Sequence, residues 1–385
     1  MIRKNIKLMA VTLSLVTSLF SAEPAAKQTI NIDMLLKKND TNEKLFVVER
    51  ESSSLAVIEK NRVKLQMKNM RNMNHGVVKF YENDGYVISR DGYVIKFDPE
   101  NDKKIKEYKT SDSAIGFTLN KHYIAVANYA KKSVDILDRD LNPLQSFVTG
   151  SKNVGIKVYK NYVVFSQMDN DKITVLKDMN FGRSKPDFKI YREFENVGEM
   201  PFDAMIKDNK FITGFFTSKF FGVLDLDTMK YSKIDILLGD RKPVLKVPHF
   251  GFWSISDGNV FIPAVGDNKV LVYTPDFKFV QNIETEGLPV FTALSPDKKF
   301  LAVTFSGEKF PVIQIIDTTT LKVIKRFEFD GKVLHVRWSN KKPLLYVSVN
   351  DTNKIAAINT DGWWLNLEIL NVQKPSGIFI YEGSK

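Results

Sequence analysis

An all-β fold, an eight-bladed β-propeller closed by its own C-terminal strand, is predicted by three features of the 385-residue sequence. A strand–turn–strand signature recurs along the chain at intervals of roughly 40 to 50 residues, the period of a propeller blade of about four short strands. A further short apolar run precedes most of these signatures, as an innermost strand would. The last such run stands at the C-terminus with no signature after it.

Taken in order, the chain opens with Arg3, Lys4 and Lys7, an apolar stretch from Leu8 to Phe20, and then Ser21-Ala22-Glu23-Pro24. A basic segment, a short apolar segment and small residues are the pattern of a signal peptide over residues 1–22, which predicts a periplasmic protein. The apolar stretch is too short to span a bilayer comfortably, and no later segment is apolar enough, so stable membrane insertion is not expected. Residues 23–44 are polar and unpatterned, a leader into a propeller covering residues 45–385.

The signatures start at Leu45, Tyr86, Tyr123, Tyr162, Phe211, Phe261, Phe300 and Leu345. In each, two short apolar runs flank a turn rich in Asn, Asp, Gly, Ser or Lys, as in antiparallel hairpins. The innermost strands are expected at His75–Phe80, Ala114–Leu119, Val154–Tyr159, Phe202–Ile206, Phe250–Ile255, Val290–Leu294 and Leu334–Trp338. The unit at Leu45 has no such strand before it, and Gly377–Tyr381 has the pattern with nothing after it. Pairing of these two ends would close the ring and leave no open end. Looser spacing near residues 170 to 260 leaves seven or nine blades as alternative counts.

Composition narrows the functional classes. The net charge of +11 is nearly all lysine, spread along strand edges and turns. That distribution fits a solvated surface that resists edge-to-edge pairing. No basic arm or basic helix appears, so nucleic acid is not an expected partner. With no cysteine there is no disulfide, no thiolate metal site and no covalently attached haem. GxSxG, P-loop, HExxH and EF-hand patterns are missing as well.

The four histidines are the scarce chemical resource. Counted back from the last apolar residue of their inner strands, His75, His249 and His335 all enter from one face of the ring, and His122 lies at the other. Imidazoles gathered at one mouth suit an iron or proton role near neutral pH, with a zinc site of three histidines as the alternative. Arg90, in Arg-Asp-Gly beside His75, offers a guanidinium fork for a ligand carboxylate. Asn128-Tyr129 occupies the corresponding place one blade on, and Arg241 lies shortly before His249. Phe215, Phe216, Phe250, Phe252 and Trp253 are core residues or rings able to stack on a flat cofactor.

The order His75…Ile88-Ser-Arg-Asp-Gly92…Asn128-Tyr129 resembles the haem d1 domain of cytochrome cd1 nitrite reductase, and more closely the NirF-type haem d1 biosynthesis proteins. Matching stretches continue at Pro201-Phe-Asp-Ala204, Val247-Pro-His-Phe-Gly-Phe-Trp253, Phe261-Ile-Pro-Ala-Val-Gly266, Pro289-Val-Phe291, Val333-Leu-His335 and Pro375-Ser-Gly-Ile-Phe379. The resemblance implies haem d1 or a haem d1 precursor, an iron tetrapyrrole, held over the channel. It puts His75 at the place of the proximal iron ligand and Arg90 beside the macrocycle carboxylates; Asn128, Tyr129 and Arg241, by their positions, are expected as further cofactor contacts. His249 and His335 fall near the distal side, as catalytic proton carriers.

The implied role is maturation of a late haem d1 precursor, with other maturation proteins and cytochrome cd1 nitrite reductase as partners. Whether the chain catalyses a step on the tetrapyrrole, as an oxidoreductase would, or only carries it stays open. The absence of a CxxCH motif separates it from the complete reductase, and the absence of a cysteine after the signal argues for a free protein. Two other readings stand beside this one: a nitrite reductase-like subunit fed by a separate electron donor, and a cofactor-free interaction propeller.

Overall fold

The structure, a computed structural model, describes residues 43–183, 185–236, 254–264, 266–306 and 310–383. Within them 32 strands, β1 to β32 in chain order, form eight four-stranded antiparallel sheets arranged as a β-propeller. The eight signatures become the second and third strands of the blades. These strands are buried on both faces, because each blade is sandwiched between two neighbours. β1 (Lys44–Glu49) and the strand Tyr123–Asn128 are buried at every residue. Their apolar side chains pack across the blade gaps, as Tyr123, Ala125 and Ile136 do against Ile156, Val163 and Phe188 of the next blade. Outermost strands such as Lys103–Lys109 and Lys322–Glu328 are lysine-rich and largely exposed, so the free edges are charged.

Ring closure is as expected, a little longer than the apolar run alone indicates. β32 (Pro375–Tyr381) pairs antiparallel with β1, Val47 opposite Ile378 and Lys44 opposite Tyr381. It is the innermost strand of the first blade, in the order β3 (Arg62–Met67), β2 (Ser54–Glu59), β1, β32. The buried Glu43 holds the entry to β1, accepting hydrogen bonds from Ser339 Oγ and Tyr346 OH, each at 2.9 Å.

One element departs from expectation. The strand expected to begin at His75 begins at Val77, as β4 (Val77–Tyr81). His75 stands in the turn ahead of it with φ of 64°, a left-handed conformation outside the strand region for a non-glycine residue. The cause lies upstream, where Met70 and Met73 are fully buried under the first two blades. The chain must double back from them, and it does so with the Gly76 N–H donating to the Met73 carbonyl at 2.9 Å. Of the inner strand expected at 250–255, Ser254–Ile255 is described. His249, Arg241, Phe250, Phe252 and Trp253 lie outside the described residues.

Candidate functional site

Two short connections meet at the mouth where the inner strands begin. The first is the loop leading to His75, and the second is the turn from Ser89 to Gly92 after β5 (Asp84–Ile88). The turn closes on itself, with the Gly92 N–H donating to the Ser89 carbonyl at 3.1 Å and the Tyr93 N–H to Ser89 Oγ at 3.0 Å. Gly92 has φ of 82°, and a Cβ there would collide with the Ser111 backbone carbonyl, so only glycine fits. Loop and turn are then tied to each other. The Arg90 N–H donates to the Asn72 carbonyl at 2.8 Å, and the Asn72 N–H to Asp91 Oδ1 at 3.1 Å. Asn72 in turn accepts the Asn74 N–H at 3.0 Å, which shapes the residue next to His75. His75, exposed on this loop, and Arg90 are thereby fixed on one rim.

From Arg90 an arc of side chains continues around that rim. The Arg90 guanidinium donates to Ser113 Oγ of the next blade and lies 5.7 Å from the centre of the Tyr129 ring. Lys152, one blade further, approaches the same ring at 5.5 Å, so Tyr129 sits between two cations. Lys152 is also paired with Asp169 at 3.2 Å, which restrains it. The arc then turns apolar: Tyr129 packs with Val154, Met168 and Phe216, and Phe202 stacks on Phe216 with ring centres 4.6 Å apart. Phe215 points the other way, into the core between blades.

Asn128 does not share the rim with its neighbour. It is fully buried inside its blade, where its Nδ2 donates to Ser133 Oγ at 3.0 Å. Its side chain braces the strand end that presents Tyr129. Ser113, Lys152 and Met168 were not legible as site residues. Each stands near the upper end of a blade strand, at the level of Arg90, and that recurrence is the signal that could have found them.

His335 is the third residue of β28 (Val333–Trp338), inside the channel and not on the rim loop that carries His75. Its ring lies against Phe291 at 5.4 Å and Phe379 at 6.1 Å, and its Nδ1 accepts the Ile378 N–H at 3.3 Å. An accepting Nδ1 leaves the proton of the neutral ring on Nε2. Burial first, and then the charge of Arg337, push this imidazole down to about 3. His122 lies in the turn between the strands Ala114–Leu119 and Tyr123–Asn128, at the opposite end of the channel as expected. Among the described residues no three His, Asp or Glu side chains are grouped to hold a metal ion.

A pH dependence follows with a definite sign. A histidine whose folded value is lowered binds fewer protons folded than unfolded, so stability falls as pH drops from 6.5 toward 3. His335→Gln keeps an acceptor for the Ile378 N–H and removes the titration. The melting temperature of that variant should therefore fall less between pH 7 and pH 4 than the parent's, as calorimetry would show.

Comparison with known proteins adds an independent line. The family model described as "Cytochrome D1 heme domain" matches residues 39–383. Protein NirF of Stutzerimonas stutzeri is 29% identical over 359 residues, covering 86% of this chain and 90% of that protein. Protein NirF of Pseudomonas aeruginosa is 27% identical over 337 residues, covering 82% and 84%. Among solved structures, dihydro-heme d1 dehydrogenase NirN in complex with DHE superposes with a TM-score of 0.75 at 20% identity, covering 87% of this chain and 74% of that one. AztD of Citrobacter koseri superposes at 0.64 with 14% identity, covering 88% and 98%.

Proposed function

The chain belongs to the cytochrome D1 heme domain family, and from that footing we propose that it binds a d1-type iron tetrapyrrole, haem d1 or a late precursor, on the rim that carries His75 and Arg90. Its role is in haem d1 biosynthesis, where it processes the tetrapyrrole or passes it on for maturation of nitrite reductase. The observation that carries this reading is the pair of hydrogen bonds between the His75 loop and the Arg90 turn, which hold an imidazole and a guanidinium on one rim.

The residues on the rim fit such a ligand. Arg90 presents a planar fork suited to a macrocycle carboxylate, with Lys152 as a second cation. Tyr129 and Phe202 supply flat surface for a ring system, with the buried Met168 and Phe216 packed behind them. His75 would hold the iron. When bound, the iron macrocycle supplies any redox chemistry, and the protein supplies position and electrostatics. His335, neutral and with its proton on Nε2, is a hydrogen-bond donor on the distal side, and His249 is proposed as its companion. Arg241 is proposed as a further carboxylate contact. Export through the signal peptide at residues 1–22 would place the chain in the periplasm, where other maturation proteins and cytochrome cd1 nitrite reductase would be its partners.

Titration of the purified chain with ferric haem d1 tests the reading. A saturable change of the Soret band at one equivalent per chain is the expected result. An unchanged spectrum would favour a cofactor-free interaction propeller. Nitrite turnover by the loaded protein with an added electron donor would favour a reductase-like subunit.

A further inference from the structure

We propose that the lower half of the central channel binds a small oxyanion or carboxylate between Lys79 and Arg337, at a site separate from the rim. A cavity of about 800 Å³ opens there, and its walls include Tyr81, Leu119, Pro296 and Ile380. These residues stand at or just beyond the downstream ends of inner strands, at the mouth opposite His75. The described wall carries Lys79, His335 and Arg337 and contains no aspartate or glutamate.

Among the described residues neither cation is neutralised, for no carboxylate lies within ion-pair distance of Lys79 or Arg337. Lys79 lies on β4 with its ammonium 5.2 Å from the Phe117 ring. Arg337 lies on β28, where Nε donates to the Ile378 carbonyl at 3.1 Å and the guanidinium faces Phe379 at 5.8 Å. Its two terminal nitrogens, which could take an oxyanion side by side, donate to no described residue. Hydroxyls of Ser254 and Thr292, 3.0 Å from each other, add polar wall.

Lys79 and Arg337 are both partly buried, and drawing two positive side chains partly out of water without a counter-charge is costly. Lys79 reflects the cost: burial first, and then the charge of Lys157, bring its amine down to about 7. Asp203 offsets Lys157, and no described carboxylate does the same for Lys79. An anion in the cavity would answer both cations at once. Lys79 and Arg337 are not used at the rim, so substituting them tests this site without touching the rim residues.

Isothermal titration of the tetrapyrrole-free chain with sodium phosphate, and separately with sodium acetate, at fixed ionic strength tests the proposal. Saturable binding of one anion per chain is expected, weakened by about tenfold or more in Lys79→Met and in Arg337→Met. Lys79→Met should also melt no lower than the parent in the absence of anion, because it removes a partly buried charge that no described carboxylate pairs. Should Arg337→Met fail to fold, Lys79→Met and the charge-preserving Lys79→Arg decide between them, with binding lost in the first and kept in the second. Repeating the titration after loading haem d1 tests the separation of the two sites. Phosphate that still binds is the expected result, and phosphate that is shut out shows that the sites overlap and overturns a separate anion site. Absence of saturable binding by both salts, or equal affinity in Lys79→Met and the parent, overturns the proposal.

Discussion

Deletion of residues 375–385 is expected to abolish the folded ring. β32 supplies the innermost strand of the first blade, and through its pairing with β1 the C-terminal strand of the chain is joined to the first. Ile378 is fully buried between the first and last blades, and Tyr381 is nearly so, its ring 5.2 Å from Phe80 and its hydroxyl donating to Glu100 at 2.9 Å. Burial of two such side chains is worth about 3–6 kcal/mol together, a large share of the roughly 5–15 kcal/mol that holds a domain folded. The deletion also bares β1, a strand of sequence KLFVVE, as an unpaired apolar edge. Such an edge pairs readily with other chains. Size-exclusion chromatography should therefore give aggregate where the parent gives a discrete species. A discrete truncated species melting close to the parent would show that the ring does not depend on its clasp.

Gly92→Ala should be costly for a single turn substitution, about 2 kcal/mol or more. An alanine would carry the left-handed penalty and would also drive its Cβ into the Ser111 backbone, which cannot rotate out of the way. Gly150→Ala is the internal control. Its φ of 72° is similar, but a Cβ there meets nothing within 4 Å, so it should show the conformational cost alone. Displacing the turn also moves Arg90 and its bond to the Asn72 carbonyl, and with it the His75 loop. Gly92→Ala should lower both the melting temperature and the affinity for haem d1, whereas Gly150→Ala should leave the affinity unchanged. Equal effects of the two on affinity would detach the Arg90 turn from the site.

The blades were legible because stacking between neighbours demands buried second and third strands, which leave short apolar runs at a fixed period. Ala114–Leu119 runs as the pattern reads, and the clasp at Gly377–Tyr381 differs only in starting at Pro375. His75 was placed two residues too far along because His75-Gly76 continues the strand pattern of Val77-Val78. The buried Met70 and Met73, which force the turn, leave no periodic mark. At the site, Arg90 was legible from its Arg-Asp-Gly turn and Tyr129 from its matching place one blade on. Asn128 was read with Tyr129, but neighbours in a strand point to opposite sides, and one of the pair faces the blade interior. Lys79 and Arg337 were passed over as ordinary cations. Their shared setting, one cation between two apolar residues within an innermost strand (Val-Lys-Phe and Val-Arg-Trp), was the cue.

The proposal that one imidazole on the His75 loop holds the iron is tested most directly by His75→Gly loaded with ferric haem d1, with and without added imidazole. The glycine variant should show the spectrum of a macrocycle lacking its protein ligand and bind it at least tenfold more weakly, since a coordinate bond outweighs the 1.4 kcal/mol that a tenfold change represents. Free imidazole should then restore the parent spectrum. A His75→Gly protein with the parent's spectrum and affinity before any imidazole is added would contradict the assignment.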